Sequence, residues 1–211
     1  MNFKSKKQAV IGLTGGMLSG KSTALKILKE CGAFTLSCDE LVREISSRPS
    51  VKKKIENLLG GAEPSFVAQK IFNHSKARKQ LEKLLHPLVL AEIAKRLKAD
   101  KAWLRVVEVP LLFEVGWESY FDFTVAVLSS SKNLQNRLTE RGVKKSDFLK
   151  RVSAQFPQEK KASLADICLI NDGSLPEFTE KVQKLYHAFH TIYQVKERRH
   201  HVRKNLAGKT C

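Results

Sequence analysis

The chain has 211 residues, with 38 Lys and Arg against 21 Asp and Glu, giving a formal charge of +17 and a pI near 9.8. With 42% hydrophobic and 28% charged residues it is globular rather than disordered, and long enough for one sizeable core with a smaller attached lobe. The charge exceeds the roughly 2 to 8 units usual for a small domain, so it points to an anionic partner: nucleic acid, acidic membrane or phosphorylated metabolite.

Ala9-Val10-Ile11-Gly12-Leu13 is a short, partly β-branched run followed by glycines, the pattern of a buried parallel strand leading into a tight loop. A helix is predicted from Lys21 to Glu30, stopped by Gly32, and a second strand at Phe34–Leu36, with Leu41, Val42 and Ile45 at helical spacing beyond it. Residues 46–75 contain Pro49, Gly60, Gly61, Pro64 and Asn73 and read as broken helical pieces, a mobile insertion. Residues 77–98 regain a helical period that Pro87 is expected to kink or restart. Strands are predicted at 104–109, 123–128 and 167–170. Ser129-Ser130-Ser131 caps a helix closed by Gly142, and a basic helical stretch follows to Lys161. Ser174-Leu175-Pro176-Glu177 is a capping box, opening a helix whose apolar stripe is Phe178, Val182, Leu185, Phe189 and Ile192. Five strands separated by helices imply a three-layer α/β unit with a parallel sheet.

The four cysteines (Cys31, Cys38, Cys168, Cys211) lack CxxC spacing, and no leader pattern is read, so reduced thiols and a cytoplasmic location are expected. No window approaches the ~20 apolar residues of a membrane span. Residues 1–8 carry three lysines without an acidic residue, and 196–211 carry six Lys or Arg against one Glu, so the tails hold almost half of the charge excess.

Gly15-Gly16-Met17-Leu18-Ser19-Gly20-Lys21-Ser22 matches GxxxxGK[ST] between a predicted strand and a predicted helix. Glycines let successive amides turn around phosphate oxygens, a lysine reaches the β- and γ-phosphates, and a hydroxyl ligates Mg²⁺. Ser22 and Thr23 lie at the helix N-terminus, where free amides and the dipole favour an anion. The bland alternative is a glycine-rich turn with Lys21 in solvent. No NKxD element specifies guanine and the chain is too short for a motor. Asp39, just past strand two, could receive the proton of an acceptor hydroxyl, so kinase chemistry leads.

The ordered series IGLTGGMLSGKST (11–23), CDELVREI (38–45), LEKLLHPLV (81–89), VVEVPLLFEVG (106–116), NRLTERG (136–142), KRVSAQFPQEKKASLAD (150–166) and INDGS (170–174) resembles the dephospho-coenzyme A kinase family over approximately residues 9–193. The resemblance implies ATP-dependent phosphorylation of the 3'-hydroxyl of dephospho-coenzyme A, with Mg²⁺. It implies an ATP site on Gly15, Gly16, Met17, Leu18, Ser19, Gly20, Lys21, Ser22 and Thr23, with Asn171 and Gly173 near the adenine, or forming only an Asn-Asp-Gly turn. Asp39 would orient or deprotonate the hydroxyl, or cap its helix. The family's usual second aspartate two residues earlier is Ser37 here.

His86 and Pro87 resemble an acceptor-contacting HP element, which is equally readable as a structural kink. Glu108 would organise Mg²⁺ together with Ser22, or form a buried pair with Arg105 or a lysine. Leu111 would line the acceptor pocket, or be core, and Glu114 would shape its polar edge. Arg141 would clamp the transferring phosphate, with Arg137 and Arg151 as lid neighbours, although each arginine could also lie on a solvated face. Segment 60–72 lacks the family's DGxLxR-like stretch, and Leu18 stands where many relatives carry glycine.

The expected architecture is a P-loop kinase domain over 9–195 with strand order 2-3-1-4-5, an acceptor lobe at about 46–99, a lid at about 137–161, and a basic tail at 196–211. Dephospho-coenzyme A and ATP are the expected partners of a monomer, with no obligate nucleic acid. The rivals are a kinase with a nucleoside or shikimate-like acceptor and a nucleic-acid-binding NTP switch using the basic tails.

Overall fold

A computed structural model describes residues 3–4, 8–140, 142, 148, 152 and 155–207, with 195–207 as backbone alone. Each predicted apolar run forms a strand: β1 (Ala9–Gly15), β2 (Phe34–Ser37), β3 (Leu104–Glu108), β4 (Phe123–Leu128) and β5 (Ile167–Ile170). They make one sheet in the order β2-β3-β1-β4-β5, the order expected. β1 runs parallel to β3 and β4, and β4 to β5, with Leu13 opposite Glu108 and Gly15 opposite Val127. Val10, Leu13, Leu104, Val106, Val125 and Val127 are wholly buried, which explains why these strands read as mainly apolar rather than as strictly alternating segments.

Chain contacts define two units, Leu36–Asp100 and the combination of Asn2–Thr35 with Lys101–Cys211. In the second, α1 (Lys21–Glu30) contributes Ala24, Ile27 and Leu28 to the core. A 3₁₀ turn (Glu118–Tyr120) precedes β4, and α6 (Ser131–Glu140) and α7 (Gln158–Leu164) precede β5. We number the helices of the other unit α2–α5. The last helix, α8 (Leu175–Ala207), opens on the predicted capping box: Ser174 N and Oγ donate to Glu177 Oε2 at 2.6 and 3.0 Å. Its stripe residues Phe178, Val182, Leu185 and Phe189 are buried against the sheet core, each such burial contributing about 1.5–3 kcal/mol. Ile192, expected on the same stripe, is exposed, one step past the end of the core.

The other unit is helical: α2 (Cys38–Ser47), α3 (Pro49–Leu59), α4 (Pro64–Asn73) and α5 (Ser75–Ala99). The expected mobile insertion at 46–75 is instead two well-formed helices. Pro49 and Pro64 occupy first-turn positions, where a missing N–H costs nothing, and Gly60 adopts the left-handed conformation (φ 85°) that ends α3. Helix α5 likewise does not restart at Pro87. The proline withholds the hydrogen bond due to the Lys83 carbonyl, and Lys83 is exposed, so water can take its place. A ring of ion pairs joins Glu44, Arg48, Glu92 and Arg96 across α2 and α5, with Arg48 at 2.9 and 3.0 Å from Glu44 and Glu92.

Candidate active site

The loop between β1 and α1 is folded so tightly that Gly15 and Gly20 are obligatory. A Cβ at Gly15 (φ 148°) would stand 2.3 Å from the Val127 carbonyl oxygen, and one at Gly20 (φ 105°) 2.1 Å from Asn171 Nδ2. Gly20 is also the N-cap of α1. It offers no side-chain acceptor, and no acidic residue sits in the first turn, so the leading amides and the positive end of the helix dipole are left for an external anion. Lys21 Nζ lies back across the loop, donating to the Gly16 carbonyl at 2.8 Å. Ser22 is exposed and Thr23 half-buried in the same turn. Ser19 Oγ is buried with no hydrogen-bond partner among the described residues, an arrangement that suits a hydroxyl awaiting a ligand oxygen. Leu18 is the one described non-glycine residue with positive φ, at 64°, a conformation that costs a bulky residue about 1–2 kcal/mol.

The oxygens on the far side of the loop are held from outside. Arg137 donates through Nη1 to the carbonyls of Leu18 (3.0 Å) and Ser19 (3.3 Å) and to Ser129 Oγ (3.2 Å), and through Nη2 to the Asn171 carbonyl (2.8 Å). Asn171 is buried, and its Nδ2 donates to the Ser19 carbonyl at 2.8 Å. A Cβ on Gly173 would meet Glu177 Oε2 at 2.1 Å, so a side chain there would have to displace the carboxylate of the capping box. Asp172 accepts from Ser130 N (2.6 Å), Ser129 Oγ (3.1 Å) and Asn133 Nδ2 (3.1 Å) at the start of α6; these bonds, Ser130 N first, hold its carboxyl below the usual range.

Glu108 ends β3, buried, in register with Leu13. Past it, Leu111 is half-buried while Leu112 and Phe113 join the core. Glu114 meets a residue at the end of the basic helical stretch: Lys161 of α7 is wholly buried. Its Nζ lies 3.0 Å from Glu114 Oε1 and donates to the Pro110 carbonyl at 2.6 Å. Phe156 N also donates to Glu114 Oε1 (2.7 Å), and Thr14 Oγ1 reaches the same Pro110 carbonyl at 3.2 Å. Burial pushes the Lys161 pKa down and Glu114 draws it back up. The detectable signal was an acid inside the apolar run PLLFEVG, which required a cation from elsewhere. Gln158, also overlooked, exchanges two 2.9 Å hydrogen bonds with the Ser129 backbone beside the loop. A cleft of about 440 Å³ lies between Gly16 and Met17 and the side chains of Leu134, Leu138 and Phe156.

The phosphate-loop residues, Glu108, Asn171, Gly173, Leu111 and Glu114 therefore belong to one unit, and Asp39, His86 and Pro87 to the other. Asp39 stands exposed in the first turn of α2, where Ser37 takes the N-cap position, so the cap reading of Asp39 does not hold. His86 is half-buried on α5, and burial, more than Glu82 opposes it, lowers its pKa. His86 thus enters the fold neutral. Because the unfolded chain takes up the proton more readily, stability should fall as pH drops through the ordinary value of about 6.5. Melting temperatures at pH 7.5 and 5.5 should show a larger acid loss in wild type than in His86→Gln; equal losses would contradict the assignment. Arg141 and Arg151 lie outside the described residues. A cleft of about 550 Å³ within this unit is lined by Val42, Ile55, Val67, Ile71, Leu81 and Leu85, with Arg43 and Lys52 also contributing to its wall.

No described helix is long and apolar enough to cross a membrane. A family model described as dephospho-CoA kinase matches residues 9–177. A dephospho-CoA kinase of Protochlamydia amoebophila is 32% identical over 83% of this chain and 94% of its own length, and one of Arabidopsis thaliana is 33% identical over 83% and 82%. A solved structure from Thermus thermophilus superposes with a TM-score of 0.78 at 31% identity, covering 86% of this chain and 97% of that one. A shikimate kinase from Acinetobacter baumannii shares the fold at 15% identity and a TM-score of 0.53, over 87% and 95% of the two chains. The phosphate loop on an uncapped helix, the 2-3-1-4-5 sheet and these likenesses agree: the chain belongs to the dephospho-CoA kinase family.

Proposed function

We propose that the chain transfers the γ-phosphoryl group of ATP to the 3'-hydroxyl of dephospho-coenzyme A, releasing coenzyme A and ADP. The observation that carries this reading is the phosphate loop at the open N-terminus of α1, within a family match spanning residues 9–177. Lys21, now resting on the Gly16 carbonyl, would swing to the β- and γ-phosphates, and the amides of Gly20 to Ser22 would hold the remaining oxygens. Asp39 would accept the hydroxyl proton as the acceptor oxygen attacks phosphorus and ADP departs with the bridging oxygen. Arg141 would neutralise charge on the transferring group, with Asn171 and Gly173 at the adenine end.

The donors fit Mg²⁺: the hydroxyl of Ser22 and the carboxylate of Glu108 are hard oxygens. Among the described residues no cluster of three His, Cys, Asp or Glu is placed to hold a metal, which suits an ion whose other ligands are phosphates and water. Ser22 and Glu108 would hold the ion, which when bound would supply positive charge to offset that of the phosphates. For the acceptor, His86, Pro87, Leu111 and Glu114 are the proposed contacts. The apolar cleft of the helical unit, with Arg43 and Lys52, suits the uncharged arm and diphosphate of coenzyme A. We take the chain to be a cytoplasmic enzyme acting as a monomer made of the domain, lobe and lid expected above.

A coupled ADP-release assay tests the assignment. Dephospho-coenzyme A should raise turnover at least about 100-fold over any nucleoside monophosphate or shikimate, with activity lost on chelation of Mg²⁺. Equal rates with nucleoside monophosphates would reject the acceptor.

A further inference from the structure

A trans peptide is planar, so a carbonyl and the N–H across its C–N bond point in opposite directions. Gripping the carbonyl of Ser19 therefore aims the amide of Gly20, and gripping that of Leu18 aims the amide of Ser19. The Ser19 carbonyl is gripped twice, by Asn171 Nδ2 and Arg137 Nη1, and the Leu18 carbonyl by Arg137 Nη1. Just before the first of these carbonyls, Leu18 sits at φ 64°, a conformation that a leucine leaves when nothing holds it. Arg137 reaches these carbonyls across 118 and 119 residues of chain, from a helix that Asp172 and Ser129 tie to the end of β5.

We infer that Arg137 is a positioning residue that locks the phosphate loop, holding the left-handed turn at Leu18 and aiming the Gly20 amide at the nucleotide without touching the nucleotide itself. This separates it from Arg141 and Arg151, with which the family resemblance grouped it as a lid cation. All four of its hydrogen bonds described here end on protein oxygens. It rests on the reading of this loop as the ATP site.

The variants are Arg137→Met, Arg137→Lys, Leu18→Gly and the double Arg137→Met/Leu18→Gly. They are compared by titration with a fluorescent ATP analogue and by initial rates in both substrates. Losing a charged donor to several carbonyls should weaken ATP binding about 10- to 100-fold in Arg137→Met and raise KM for ATP in parallel. KM for dephospho-coenzyme A should stay within about two-fold, and the lysine variant should fall between, because one ammonium can still serve a carbonyl. Since glycine holds a left-handed turn unaided, the penalty of Arg137→Met should shrink at least about three-fold in the Leu18→Gly background.

Unchanged nucleotide affinity with reduced kcat would overturn the inference and make Arg137 a transition-state cation, and strictly additive penalties would remove Leu18 from it. If Arg137→Met does not fold, Arg137→Lys against wild type carries the comparison. Wild-type protein that binds the analogue but does not phosphorylate dephospho-coenzyme A would defeat the acceptor assignment and leave the role of Arg137 to be decided by the binding titrations. Wild-type protein that does not bind ATP would defeat both.

Discussion

Replacing Lys161 with methionine is expected to lower the free energy of unfolding by about 3–5 kcal/mol, a large part of the 5–15 kcal/mol typical of a domain. The ammonium of Lys161 is out of water, 3.0 Å from Glu114 Oε1 and donating to the Pro110 carbonyl. Methionine fills a similar volume, so the loss comes from leaving the Glu114 carboxylate buried beside a single backbone donor, Phe156 N. The same reasoning gives the opposite sign for the pair. Changing Glu114→Leu together with Lys161→Met should return most of the stability, since desolvating two charges roughly cancels their attraction. Urea unfolding of the two single variants and the double variant decides it; a double variant as unstable as the sum of the singles would mean that Lys161 acts through packing and not through Glu114. Activity need not return with stability, because the pair also fixes Pro110, the residue that starts the PLLFE loop.

Asp39→Asn carries the largest expected effect on turnover. A positioned base contributes about 10²- to 10⁴-fold, and asparagine keeps the shape while losing the ability to take a proton. kcat should fall by that factor with KM for ATP within about two-fold, because Asp39 and the phosphate loop belong to different units. Steady-state rates in both substrates measure it. Unchanged kcat would remove the proton role, and a rise in KM for the acceptor alone would make Asp39 a binding group. Ser37 takes the N-cap of α2, so the carboxylates of its first turn are Asp39 and Glu40, both exposed.

The sheet was readable from sequence because its central strands are buried on both faces, so Ala9–Leu13, 104–109 and 123–128 are mainly apolar, with Arg105, Glu108 and Thr124 as buried exceptions, and are closed by glycine, proline or serine. In the helical unit Pro49, Gly60 and Pro64 do punctuate short helices, as the sequence suggests, but each sits at a helix end where its backbone is favoured, so they bound regular helices and do not mark a mobile insertion. The phosphate loop was legible because its chemistry is local. Lys161 and Arg137 were not, since a charged residue in a polar stretch looks like surface until its partner is known, and the partners lie far away in sequence. Glu114 and the carbonyls of Leu18 and Ser19 give those residues their meaning, and no window of sequence contains both members of either set.

The length of α8 changes what the basic tail can do. Phe178 near its start stands 3.6 Å from where a Cβ on Gly20 would be, so the helix leaves from beside the phosphate loop and continues to Ala207. At 1.5 Å per residue, Lys196 lies about 27 Å further along the axis, roughly three screening lengths at physiological salt. From Lys196 onward the helix backbone thus lies beyond the screening range of the phosphate loop, so the field at that loop is set by the charges of the catalytic body.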